Sequence, residues 1–205
     1  MLGPAEIFTL FFVTLGPLKV LGPFVQRTRG LDDATVREIA VRAFVIATIA
    51  VVAGSLLGRV LLPKWHISLA AMELTGGIVF FLVALRQLLE QYEPRSAAPV
   101  EPLPASPTAA AAQLVFPIVL TAYGIAAVIA LLAASDRAER TAMILTLLLI
   151  VMVLDLLAML FARRILVGPT IIVLDVLGAV LAVLQVGLSV QLILEGLRLL
   201  GVIAR

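Results

Sequence analysis

The sequence has no cysteine, a single histidine and one tryptophan, and only 14% of its 205 residues are charged. Without cysteine there can be no disulfide, thiolate nucleophile or cysteine-ligated metal. With His66 as the sole imidazole, no metal-ligand cluster, nucleophile–base pair or phosphate loop stands out. The chain is therefore not read as an enzyme, and no cofactor or metal is expected. The formal charge is +2 with no dominant basic cluster, which speaks against nucleic acid as a partner. The N-terminal string Met1-Leu-Gly-Pro-Ala-Glu6 lacks the basic region of a signal peptide, so the first apolar run reads as a retained span.

What is abundant is apolar surface. Hydrophobic residues make up 62% of the chain and the mean hydropathy is +1.18, more than the interior of a soluble domain of this length can hide. No stretch alternates like a membrane barrel strand. Lipid leaves no open backbone group satisfied, so the expected class is an all-α integral membrane protein. Six stretches reach the roughly 20 residues that a bilayer requires. They lie near residues 5–26, 40–62, 66–89, 110–134, 141–162 and 170–197.

Between Glu93 and Thr108 stand Pro94, Pro99, Pro102, Pro104 and Pro107. So many prolines cannot occupy a helix interior. Residues 93–108 are therefore expected to be an extended linker between two three-helix halves, 1–92 and 109–205. With three spans per half, the second half must cross the membrane upside down, as in many secondary transporters. Internal similarity supports the duplication: Glu73-Leu-Thr-Gly-Gly77 and Asp175-Val-Leu-Gly-Ala179 lie 102 residues apart, and Gly22 falls on Gly124 at the same offset. Arg59-Val-Leu-Leu and Arg164-Ile-Leu-Val precede the two strings. Placing Arg27, Arg29, Arg37, Arg42, Arg86, Arg95, Arg163 and Arg164 in the cytoplasm, against Arg59, Lys64, Arg137, Arg140, Arg198 and Arg205, puts both termini outside.

Several residues could carry chemistry. Gly16-Pro17 and Gly22-Pro23 should interrupt span 1 over residues 16–23, either as a solute-binding break or as a kink that only shapes packing. Lys19 lies inside that break. It reads as a counter-charge for Glu73, Asp175 or a substrate carboxylate, or as a residue snorkelling to the interface. In span 4, Pro117, Thr121, Tyr123 and Gly124 suggest a lesser disturbance over 117–124, with Thr121 or Tyr123 as polar contacts. Glu73, Asp175 and the mid-span Asp155 are expensive inside lipid. Glu73 and Asp175 mark a proton or cation path, form structural ion pairs with Lys19 or Arg42, or sit high enough to meet water; the mid-span Asp155 calls for a partner or a functional role. Gly76-Gly77 and Gly178-Ala179 read as close helix crossings. Gln185, Ser189 and Gln191 offer a polar face on span 6, and His66 an interfacial position.

The order of motifs resembles the MarC family of six-span bacterial membrane proteins, within the LysE-type transporter group. The resemblance covers nearly the whole chain. It is carried by the proline-broken span 1 ending in Pro23-Phe24, by Gly76 through Arg86, by Pro117 through Gly124-Ile-Ala-Ala-Val-Ile129, and by Gln191 through Leu197. The chain departs from the family's Asn-Pro at Gly16-Pro17 and from its Gly-Pro-Gly at Ala122-Tyr123-Gly124. The resemblance implies a bacterial inner-membrane location and a secondary transporter or exporter of a small polar solute, a class that includes amino acids. Alternating access with proton or cation coupling is the expected mechanism, and a homo-oligomer is compatible with the chain. The other class in play is a non-transporting scaffold or assembly partner whose acids are ion-paired for packing. Neutral Glu73→Gln and Asp175→Asn separate the two: a transporter keeps its fold and loses coupling, whereas a scaffold loses stability.

Overall fold

The computed structural model describes residues 3–90, 103–104, 106–135, 137–166 and 170–203. Within the helices, the side chains of residues 87, 90, 117 and 170–175 also lie outside the described set. Most of the expected 93–108 linker lies outside it too.

The described residues are helical, with no strand among them. Helix α1, Pro4–Thr14, has Pro at its first position, where the missing N–H has no cost. Leu15 and Gly16 break the path, and α2, Pro17–Arg27, restarts on Pro17. Helix α3, Asp33–Lys64, begins under an Asp32 cap that accepts from Thr35 N at 3.1 Å. It is followed by α4, Leu69–Glu90. Helix α5, Pro107–Leu114, runs into a widened turn at Val115–Val119. The chain then resumes as α6, Ala122–Ala133, capped by Thr121. Helices α7, Ala138–Ile165, and α8, Thr170–Leu199, complete the fold.

Taking α1 and α2 together, five stretches are long and apolar enough to cross a membrane, and α6 is a shorter apolar helix. With α5 and the widened turn, α6 forms the fourth crossing of the expected six. The large side chains of Ile49, Leu57, Leu82 and Val183 each stay more than half exposed, as a lipid-facing surface requires. Spans 2 and 5 extend beyond the expected limits because polar ends, Asp33 and Arg163-Arg164, continue the helices past the apolar run. Span 4 starts at Pro107, inside the expected linker, because Pro is a good first helical residue.

The expected pattern of breaks needs correction. Residues 17–23 are helical, with Pro23 inside α2, so the interruption in span 1 is confined to Leu15–Gly16. Span 4 is the more disturbed: Phe116 has φ −125°, ψ 130°, and Leu120 and Thr121 are also extended. Pro117 supplies no N–H within the turn and Thr121 supplies a cap, so two local causes act there rather than one.

Packing follows a reciprocal scheme. Helix α3 lies on α5 and α6, and α7 lies on α1 and α2. Helices α3 and α7 also touch and run antiparallel: Arg59 reaches Thr141, and Asp33 reaches Arg163. Helices α4 and α8 form the other antiparallel pair. A Cβ on Gly77 would meet Ile193 N at 2.8 Å, and one on Gly196 would meet Leu74 N at 2.8 Å. Glycine is what lets these backbones approach. Gly196, not Gly178, is thus the partner of Gly77 in the crossing, and nothing lies within 4 Å of a Cβ on Gly178.

Two arginines bind the opposite ends of the bundle. Arg59 of α3 donates to Ser135 O at 2.8 Å and Thr141 Oγ1 at 3.3 Å. Arg163 of α7 donates to Leu31 O at 2.7 Å, Thr28 O at 2.9 Å and Asp33 at 2.6 Å. The two arginines are 104 residues apart, and so are Leu31 and Ser135. Each ties its helix to the loop that precedes the other's.

Candidate functional site

The break in span 1 frees two carbonyls for a local reason. The fourth residue after Val13 is Pro17, which has no N–H to return, and the turn at Gly16 takes Thr14 O off the helical path. Both oxygens are satisfied from elsewhere. Gln185 Nε2 of α8 donates to Val13 O at 3.0 Å. Lys19 Nζ donates to Thr14 O at 2.6 Å, and Thr121 Oγ1 donates to the same oxygen at 3.1 Å. Thr121 Oγ1 also accepts from Gly124 N at 3.2 Å. The two broken spans therefore meet on one carbonyl.

Around this node the site is built from several helices. The Lys19 ammonium lies 5.8 Å from the centroid of the Tyr123 ring, within cation–π range. Tyr123 stacks on Phe80 of α4, with centroids 4.6 Å apart. Gly124 packs on Leu15, where a Cβ would come within 2.4 Å of Leu15 Cδ2. Asp155 of α7 is fully buried, and neither of its oxygens has a hydrogen-bond partner. The charge of Lys19 reaches it, yet no ion pair joins the two among the described residues. Gln185 is buried, and its Oε1 also lacks a partner. A cleft of about 60 Å³ opens between the break and α8, lined in part by Gly16, Lys19, Gly178 and Gln185. That is room for a few waters or a small head group.

Of the residues singled out from the sequence, Gly16, Pro17, Lys19, Thr121, Tyr123, Gly124 and Asp155 come together here. Gly22 does not: it lies on α2 with nothing within 4 Å of a Cβ. Glu73 is also apart, near the start of α4. One of its oxygens is buried without a partner, and the charge it feels is that of Glu195. Among the described residues the acid whose charge reaches Lys19 is Asp155 rather than Glu73. Arg42 pairs with Glu38 and bonds Thr108. Asp175 belongs to α8, and its side chain lies outside the described residues.

Sequence reasoning missed the roles of Val13 and Thr14 carbonyls, of Phe80, and of the Arg59 and Arg163 loop contacts. It placed Gln185 only on a polar face. The signal for Val13 was present, since Pro17 names the carbonyl it cannot satisfy. Gly178, expected to be a crossing residue, instead leaves the cleft open.

The family model described as MarC family integral membrane protein matches residues 5–200 of the chain. No curated protein and no solved structure matches it.

Proposed function

The chain belongs to the MarC family of integral membrane proteins, and from that membership we propose that it is a secondary transporter of a small polar solute, a class that includes amino acids. The carrying observation is the node at the broken helices. Thr14 O, Lys19, Thr121 and Gln185 gather polar groups beside an open cleft, deep in a bundle that otherwise buries apolar side chains. Polar groups at that depth are expensive unless they serve a solute or ion path.

In this reading the two three-helix halves are related by a pseudo-two-fold axis in the membrane plane. Antiparallel pairing of α3 with α7 and of α4 with α8 supports it, because an axis along the membrane normal would make exchanged helices parallel. The exchanged contacts of Arg59 and Arg163 support it as well. Both clamps join one half to the other, at opposite faces of the membrane, so each closes one access route in turn as the halves rock. Asp155, with two unpartnered oxygens beside Lys19, is the candidate group for a coupled proton or other cation. The bacterial inner membrane is the proposed setting, from the family, with both termini outside, from the balance of basic residues between the loops.

The scaffold reading requires acids held in structural ion pairs. Asp155 has no such partner among the described residues, which weighs against it.

Uptake by purified protein in liposomes tests the proposal. A Cβ at Gly178 would meet nothing within 4 Å, so Gly178→Leu starts from open space beside the cleft. It should leave the melting temperature unchanged, fill the cleft and cut uptake at least about tenfold, the effect of about 1.4 kcal/mol on the limiting step. Asp155→Asn should keep the fold and uncouple uptake from the cation gradient. Uptake untouched by Gly178→Leu would overturn this site, and no uptake of any small polar solute would overturn transport.

A further inference from the structure

At the end of the bundle where α2 and α7 finish and α3 begins, positive charge is left over. Arg163 of α7 holds three groups there: Thr28 O, Leu31 O and the Asp33 carboxylate. Those bonds gather four more arginines. Arg27 and Arg29 flank Thr28, Arg164 follows Arg163, and Arg37 stands one helical turn beyond Asp33. Arg29, Arg37 and Arg164 are exposed, and Arg27 is half-buried. None of the four has a hydrogen bond or an ion pair among the described residues. The described acids beside them are already engaged: Asp32 caps α3, Asp33 is held by Arg163, and Glu38 pairs with Arg42. An apolar track leads to this corner. On α7, Ile150, Val153, Leu157 and Phe161 are all exposed, and they recur at three- and four-residue steps that end on Arg164. On α3, the exposed Val41 and Val45 follow Arg37 at one and two turns.

We propose that this corner binds an anionic phospholipid, with the headgroup phosphate among Arg27, Arg29, Arg37 and Arg164 and an acyl chain along the apolar track of α7. Charge and surface both select that occupant. Guanidinium forks match phosphate oxygens in pairs. Each basic residue near a membrane surface strengthens attraction to anionic lipid by about fivefold. A zwitterionic headgroup brings its own ammonium, which cancels the charge that the arginines attract. A soluble anion uses the arginines but not the track. At the other end of the bundle Arg59 bonds Ser135 O and Arg198 pairs with Glu195, and the exposed Lys64 and Arg137 there serve as a control pair. A phosphate held by this cluster joins the α2–α3 loop to α7, the same elements that Arg163 joins, so occupancy strengthens that tie. The inference needs only the membrane-spanning class and does not rest on transport.

Lipid binding to the detergent-purified full chain, counted by native mass spectrometry as phosphatidylglycerol is titrated against phosphatidylcholine, tests the site. Phosphatidylglycerol should bind about tenfold or more tightly, and the preference should shrink as salt rises. Arg37→Gln combined with Arg164→Gln should weaken phosphatidylglycerol binding at least about tenfold and leave phosphatidylcholine binding unchanged. Both side chains are exposed and without partners, so the melting temperature in lipid-free detergent should stay the same. Each single variant should lose about fivefold and serves if the double variant fails to fold. Lys64→Gln combined with Arg137→Gln should leave the preference intact. Phosphatidylglycerol should raise the melting temperature of the natural protein and not that of the double variant. Equal binding of the two lipids, or a preference that survives Arg37→Gln with Arg164→Gln, would overturn the proposal. So would an equal loss in the control pair, which would make the attraction one of net charge alone. Displacement of the lipid by millimolar glycerol phosphate would assign the arginines to a soluble anion and overturn it as well.

Discussion

Gly16 and Gly22 look alike in the sequence, each followed by proline, yet the backbone around them differs completely. A Cβ on Gly16 would lie 1.9 Å from the Phe12 carbonyl oxygen, and one on Gly22 would meet nothing within 4 Å. Backbone on backbone cannot be relieved by a rotamer change. Gly16→Ala should therefore shift α1 against α2, cost on the order of 1–3 kcal/mol in thermal unfolding and displace Lys19 from Thr14 O. Gly22→Ala should be neutral or stabilising, by up to about 1 kcal/mol, since alanine favours a helix interior. Equal melting temperatures for the two variants would mean that the break tolerates a side chain. The Gly-Pro spelling announced an interruption but could not say which pair makes it. Steric need is set by the return of the Phe12 carbonyl, a feature of the fold rather than of the dipeptide.

At the scale of elements, helix ends decide where each span starts. Asp32 accepts from Thr35 Oγ1 at 2.6 Å and from Thr35 N at 3.1 Å, and these hydrogen bonds hold its carboxyl below the ordinary value of 3.8. The folded value lies beneath the unfolded one, so the cap stabilises α3 fully above the ordinary value and is lost as pH falls through the folded value. Asp32→Ala should lower the melting temperature at neutral pH, and the gap to the natural protein should close as pH is taken below 3.8. A gap that persists in acid would assign the effect to something other than the charged cap. Spans, the break at Gly16-Pro17 and the buried Asp155 were legible because apolar runs, Pro17 and a mid-span acid act through local rules. The relative depth of the two breaks was not, because Thr121 and Pro117 act together only once α1 brings Thr14 O to them. Nor was the placing of Lys19 within reach of the Asp155 charge, which depends on α2 packing on α7.

For the molecule as a whole, the exchanged arginine contacts are the feature with the widest reach. Because the chain has no cysteine, a single cysteine at position 178 would report access to the cleft from either face. Arg163→Ala should raise its labelling by an impermeant thiol reagent added on the Arg163 side, and Arg59→Ala on the other side. Each should change about fivefold if the lost contacts are worth about 1 kcal/mol. Labelling that rises on the same side for both variants would show that the arginines do not govern opposite faces. The expected repeat offset of 102 residues came from matching strings, whereas these contacts run at 104. Equivalence in space tolerates small length differences that a fixed-offset comparison does not.

The two clamps are alike in position but not in chemistry. Arg163 holds its loop partly through Asp33, whose side chain is 87% exposed, while Arg59 holds a carbonyl and a hydroxyl that carry no charge. Dissolved ions weaken the first bond and leave the second nearly untouched. If the halves rock as proposed, the resting population would become a gauge of the solution bathing Asp33: brine on that side would tip the bundle toward opening there, and dilution would let it close.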